Sequence, residues 1–174
     1  PNLTPEEIFR LGSFGGTYWR SIKSNITNKT YENQHKEFPE SWWKGLPDNW
    51  LVTEWDKYDK KINKYGVKVG TTLRFWEKSN WINKLDPYGW IQWYCRFYNG
   101  RRETNEDKRQ IKRWKGVASD NGRFRKRLIG LIIKKKTTWD DDSVSPKIRQ
   151  TLQHWGYQLT KKDFDIQVKK NKIK

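Results

Sequence analysis

Residues 86–100 read DPYGWIQWYCRFYNG, and their pattern decides the fold. Asp followed by Pro is a helix start, because the carboxylate caps free amides and proline loses nothing at the first helical position. The helix predicted from Pro87 to Gly100 carries Tyr88, Trp90, Ile91, Trp93, Tyr94, Cys95, Phe97 and Tyr98. It is apolar around most of its circumference, and leaving any face in water would expose a large aromatic patch. It is therefore the buried central helix of the domain.

Two basic helices follow it. Thr104 with Asp107 has capping-box spacing and opens a helix to about Lys115, with Ile111 and Trp114 inward and Gly116 as its stop. After a turn at Ser119 to Gly122, the spacing of Phe124, Leu128, Ile129, Ile132 and Ile133 marks a second amphipathic helix. Ser145 and Pro146 open a further helix through Ile148, Leu152 and Trp155, ended by Gly156.

Upstream, Thr4, Pro5 and Glu7 form a cap, a first-turn proline and a capping-box partner for a short helix to Leu11, stopped by Gly12. Residues 21–84 are irregular, with short strands expected near Leu51 to Thr53 and Tyr65 to Val69 and a short helix from Thr71 or Thr72. This wrapping layer is pinned to the core by large rings. The fold class is α+β, mainly helical: a single domain over 1–159, with an irregular N-terminal layer (1–84) and an aromatic-rich helical core (85–159). Residues 160–174 form a Lys-rich tail, either disordered or a strand through Phe164, Ile166 and Val168.

Composition supports a folded chain. Leu, Ile, Val and Phe supply only 36 of the 174 residues, but twelve Trp and eight Tyr add large rings to the core. No apolar run is long enough to cross a bilayer, no signal peptide is recognisable, and an intracellular setting is expected. A single cysteine, Cys95, and two histidines exclude an internal disulfide and a Cys/His zinc cluster. No metal or cofactor is expected.

Charge points to a partner. The formal net charge is +17, and residues 101–136 alone carry 14 basic and four acidic groups. A field of that sign attracts polyanions. The expected partner is nucleic acid, DNA more than RNA, bound along its phosphates by Arg101, Arg102, Lys108, Arg109, Lys112, Arg113, Arg123, Arg125, Lys126, Arg127, Lys134, Lys135 and Lys136. Arg123, Arg125 and Arg127 project in different directions on a helix, so they divide between phosphate contact and packing at the core rim. The glycine-rich stretch around Gly15, Gly16, Thr17 and Arg20 offers a phosphate loop, although its spacing fits no nucleotide-binding fingerprint and a tight turn is the plainer reading.

Exposed rings beside arginine could also stack on unpaired bases, with Trp42, Trp43 and Trp139 as candidates and Trp90, Trp93, Tyr94 and Phe97 as core. Catalytic candidates are sparse. His35 with Glu37 could act as a base if folding brought them to Asp86, Tyr94 or Cys95. His154 is read as a structural cation at a helix end, Cys95 as an inert buried thiol, and Asp140, Asp141 and Asp142 as capping or charge balance rather than a metal site. A nucleic-acid-modifying enzyme, such as a base-flipping glycosylase or nuclease, is the alternative. A structural protein docking on RNA or an acidic partner is the third.

The stretches Leu11 to Arg20, His35 to Pro39, Asp86 to Arg102, Arg109 to Lys115 and Ser143 to Gly156 resemble an uncharacterised family of small basic proteins of large DNA viruses and protists. The resemblance covers nearly the whole chain. It carries over no catalytic residue and implies at most a DNA-related role.

Overall fold

The central helix α3 (Trp90–Tyr98) buries Trp90 to Cys95 and leaves only Tyr98 clearly in solvent. In this computed structural model, which describes residues 1–172, the helix begins three residues later than its Asp-Pro signal. The reason lies in the Asp86 carboxylate, which is held by the guanidinium groups of Arg96 and Arg101 and cannot cap. Gly89 takes the N-cap position instead.

Two apolar clusters form, and only the first includes α3. The first joins it to Ile8 and Phe9 of α1 (Pro5–Arg10) and to Tyr18, Trp19, Phe38, Trp42 and Trp43 of the N-terminal layer. Its rings meet edge-on and tilted at centroid distances of 4.8 to 6.2 Å in the set Tyr18, Trp19, Phe38 and Trp43, the spacing at which aromatic quadrupoles attract. The α1 capping box is present: Glu7 N–H donates to Thr4 Oγ1, and Thr4 N–H donates to Glu7 Oε2. The second cluster is aliphatic, built from Leu128, Ile129 and Ile132 of α5 (Arg123–Lys135), Leu152 of α6 (Pro146–His154), and Val117 and Ala118 of α4 (Thr104–Ala118). Trp114 and Trp155 belong to the margins of both clusters and tie them together, the Trp114 indole N–H donating to the Trp155 carbonyl at 2.8 Å.

Between residues 34 and 62 the layer consists of five single turns of 3-10 helix. Its only paired strands among the described residues are β1 (Ile22–Lys23) and β2 (Thr30–Tyr31), antiparallel with Ile22 opposite Tyr31. No strand forms at residues 51–53 or 65–69. Leu51 and Thr53 are instead bonded to the glycine-rich turn, Trp19 N–H to Leu51 O and Thr53 N–H to Gly16 O. Helix α2 (Leu73–Lys78) begins after Thr72, whose hydroxyl accepts from Phe75 N–H.

Two further differences concern the basic segment and the tail. Helix α4 has no side-chain cap from Thr104. Asp107 reaches back to Glu103 N–H and across to the Trp93 indole, both at 2.8 Å, and the helix continues through Gly116 to Ala118. The tail folds as helix α7 (Lys161–Lys172), not a strand, with Phe164 against the second cluster and Asp163 paired with Arg125 at 2.9 Å. Residues 173 and 174 of the predicted tail lie outside the described residues.

Candidate functional site

The thirteen cations singled out in the sequence separate into two groups. Four are paired with carboxylates: Arg101 with Asp86, Arg109 with Glu106, Arg125 with Asp163, and Lys135 with Asp141. Arg125 is buried, its guanidinium 5.1 Å over the Tyr157 ring. Arg101 and Arg125, each in a pair with at least one member withdrawn from solvent, are structural, whereas the Lys135 pair lies at the surface.

The other nine have no carboxylate partner among the described residues. On α5 they follow a rule of geometry. At about 100° per residue, Arg123, Lys126, Arg127 and Lys134 share one arc of about 100°, with Gly130 in its middle. All four cations are exposed. Arg125, Leu128, Ile129 and Ile132 occupy the opposite, buried arc. On α4 the exposed cations Lys108, Lys112 and Lys115 share a similar outer arc. Arg102 lies over the Phe97 ring at 4.0 Å, and Lys136 caps α5 in the left-handed conformation.

The glycine-rich turn is closed. Gly15 N–H donates to Asn63 Oδ1, Gly16 N–H to Ser13 O, and Thr17 N–H to Phe14 O. A Cβ on Gly15 would overlap the Tyr58 ring, and one on Gly16 would overlap the Asn49 carbonyl oxygen. With its amides engaged and its surface covered, it is a packed turn and not an open phosphate cradle. Arg20 leaves it to lie 5.3 Å over the Trp55 ring.

Beside this turn is a cavity of about 290 Å³ that no sequence signal indicated. Phe14 and Tyr18 come from the turn, Trp55 and Tyr58 from the 3-10 layer, Trp76 and Trp81 from α2 and its exit, Trp90 from α3, and Trp155 from beyond α6. Arg113 of α4 and Arg123 of α5 also line it. The Arg113 guanidinium lies 5.7 Å over Trp81 and 5.3 Å over Trp155, and its only hydrogen bonds among the described residues run from Nη1 to Trp81 O and Gln110 Oε1. Burial lowers its pKa to about 10, so it is charged at neutral pH. Lys68 lies 5.2 and 4.8 Å over Trp55 and Tyr58. Arg113 and Arg123 thus line an aromatic cavity whose rings Trp55 and Tyr58 also carry Arg20 and Lys68. None of the four is ion-paired among the described residues, Glu54 and Glu106 act on Arg20 and Arg113 only at longer range, and no Asp, Glu or Cys lines the cavity.

His154 lines the same cavity. Its Nε2 accepts from Phe14 N–H at 2.9 Å, which fixes a neutral ring with the proton on Nδ1. Burial lowers its pKa to about 3. The expectation of a cation at the helix end is therefore replaced by a neutral imidazole stacked on Phe14, ring centroids 3.8 Å apart. Nothing among the described residues accepts a hydrogen bond from Nδ1.

The remaining candidates do not converge. Trp42 and Trp43 are buried in the first cluster and cannot stack on a ligand, and Trp139 is half-buried against the second. Phe75, Trp81 and Tyr98 are the large exposed rings instead. Glu37 and Asp86 both grip Arg96, while His35 packs edge-on against Trp43, so neither acid expected to work with the histidine is free to do so. Of the acids only Asp48 acts on it, and burial still lowers its pKa. Cys95 is wholly buried, and burial pushes its thiol well up. Asp141 accepts from Thr137, Ser143 and Lys135, closing the turn after α5. Among the described residues no cluster of His, Cys, Asp or Glu could hold a metal, and no helix is long and apolar enough to cross a membrane.

No family model, curated protein or solved structure matches this chain. Its function has to be read from the geometry above.

Proposed function

We propose that the protein binds nucleic acid, DNA in the first instance, along its phosphate backbone through the outer faces of α4 and α5. The observation that carries this reading is the outer arc of α5, where Arg123, Lys126, Arg127 and Lys134 stand exposed with no carboxylate partner among the described residues. An unneutralised cationic stripe along one helix suits a linear polyanion, because each phosphate contact releases a condensed counterion. The inner cations Arg101, Arg109 and Arg125 take no part in it. Residues 101–136 therefore act as alternating contact and scaffold positions.

The test is an electrophoretic titration against duplex and single-stranded DNA and RNA, repeated with Lys126, Arg127 and Lys134 changed together to Ala. Binding by the native chain that weakens by at least about tenfold in the triple variant supports the reading. Failure to bind any of the four nucleic acids rejects it.

A further inference from the structure

We infer that the aromatic cavity is a receptor for one unpaired nucleobase of the bound strand, with the adjoining phosphate on Arg123; the inference rests on the proposed nucleic-acid binding. Arg123 belongs to both features. It lies at the first position of α5, at the head of the cationic stripe, and it lines the cavity. A backbone tracked along α5 therefore passes the cavity mouth.

The chemistry of the walls selects the occupant. Trp55, Trp76, Trp81, Trp90 and Trp155 are among the lining residues, and base-aromatic stacking tolerates every base because each has a π-face. Aromatic cages of this kind also take quaternary ammonium groups. Here that ligand is opposed by four cations, Arg20, Lys68, Arg113 and Arg123, on or beside the lining rings. The nearest carboxylates acting on them, Glu54 on Arg20 and Glu106 on Arg113, lie outside the lining, so the cavity favours an aromatic ligand that carries negative charge. At about 290 Å³ it lies at the lower end of the range of ligand pockets, with room for one base-sized ring system and not for a base pair. Trp81, 40% exposed and edge-on to Phe75 at 5.5 Å, stands at the rim where an extruded base would enter.

His154 and Trp90 supply polar elements of the lining. The His154 Nε2 accepts from Phe14 N–H and is met by Gln150 Nε2 at 3.0 Å, whereas the Trp90 indole N–H is buried with no partner among the described residues, and a ring nitrogen or carbonyl of a base would satisfy it. The lining lacks the carboxylate that a glycosylase or nuclease step would draw on, so the inferred event is capture of the base, with no bond made or broken.

The experiment uses three DNA duplexes: one fully paired, one with a single bulged nucleotide, and one with an abasic residue at the bulge. The native chain is expected to bind the bulged duplex about 5- to 150-fold more tightly than the abasic one, which is stacking of about 1 to 3 kcal/mol per base. Thr151→Phe fills the cavity from α6, and Trp81→Ala removes a rim wall at an exposed position. Each is expected to abolish the difference while affinity for the paired duplex is unchanged. Equal binding of bulged and abasic duplexes by a chain that binds the paired one overturns the cavity inference and leaves the binding reading standing. Binding to none of the three overturns both.

Discussion

Arg101 closes a two-point ion pair on Asp86, Nη1 to Oδ1 at 2.8 Å and Nη2 to Oδ2 at 2.6 Å, around a carboxylate with no exposed surface. The same carboxylate accepts from Arg96, which also holds Glu37. This chain locks the end of α3 to the start of the basic segment. Burial raises the Asp86 pKa despite its two arginines, so desolvation outweighs the Coulomb attraction.

Removing Asp86 leaves two guanidiniums without their shared partner. Asp86→Ala is expected to cost about 3 kcal/mol or more, the usual result of breaking a buried pair from one side, measured by denaturant unfolding. Lys108→Ala, at an exposed unpaired position on the outer face of α4, is expected to stay within about 0.5 kcal/mol.

Two arginines of α5, separated by one residue, should part company in the same assays. Arg125→Ala removes the buried partner of Asp163 and the cation over Tyr157, and is expected to lower stability by about 2 kcal/mol or more while leaving the salt dependence of binding unchanged. Arg127→Ala is expected to do the reverse: little change in unfolding, and a binding slope about 0.9 shallower.

These contrasts define what is legible in the residues. The buried aromatic helix, the Thr4 capping box and the amphipathic spacing of α5 are periodic or local signals, and they appear in the structure. The Asp-Pro start of α3 and the Thr104 box of α4 carry correct local signals that tertiary partners override: the arginines take Asp86, while Trp93 and Glu103 take Asp107. Separation of Arg125 from Arg127 follows from helical period. The pairing of Arg101 with Asp86 does not, since no pattern distinguishes a paired arginine from a free one. The cavity is invisible in the sequence because its walls come from residues 14–18, 55–82, 88–91, 113–124 and 151–155, and only the folded chain assembles them.

His154 makes stability depend on acid. Its folded pKa of about 3 lies below the unfolded value of 6.5, so protonation favours the unfolded chain. Its contribution is complete above pH 6.5 and is lost as pH falls toward the folded value, at about 1.4 kcal/mol per pH unit. His154→Gln keeps an acceptor for Phe14 N–H and cannot protonate. The difference between native and variant unfolding free energies is expected to shift steadily in the variant's favour over that window, and a pH-independent difference would contradict the assignment.

Gly130 lies mid-helix, and a methyl group added to it would meet nothing within 4 Å. Alanine there relieves the entropic penalty of an exposed helical glycine, so Gly130→Ala is expected to gain about 1 kcal/mol. That corresponds to a rise of about 2 to 4 °C in Tm, read by calorimetry.

The most direct measurement is the salt dependence of duplex DNA affinity for the native chain and for the variant with Arg123, Lys126, Arg127 and Lys134 all changed to Ala. Log affinity against log salt is expected to be linear for the native chain and about 3.6 shallower in the variant, four phosphate contacts at about 0.9 each. An identical slope in the two proteins would contradict the account.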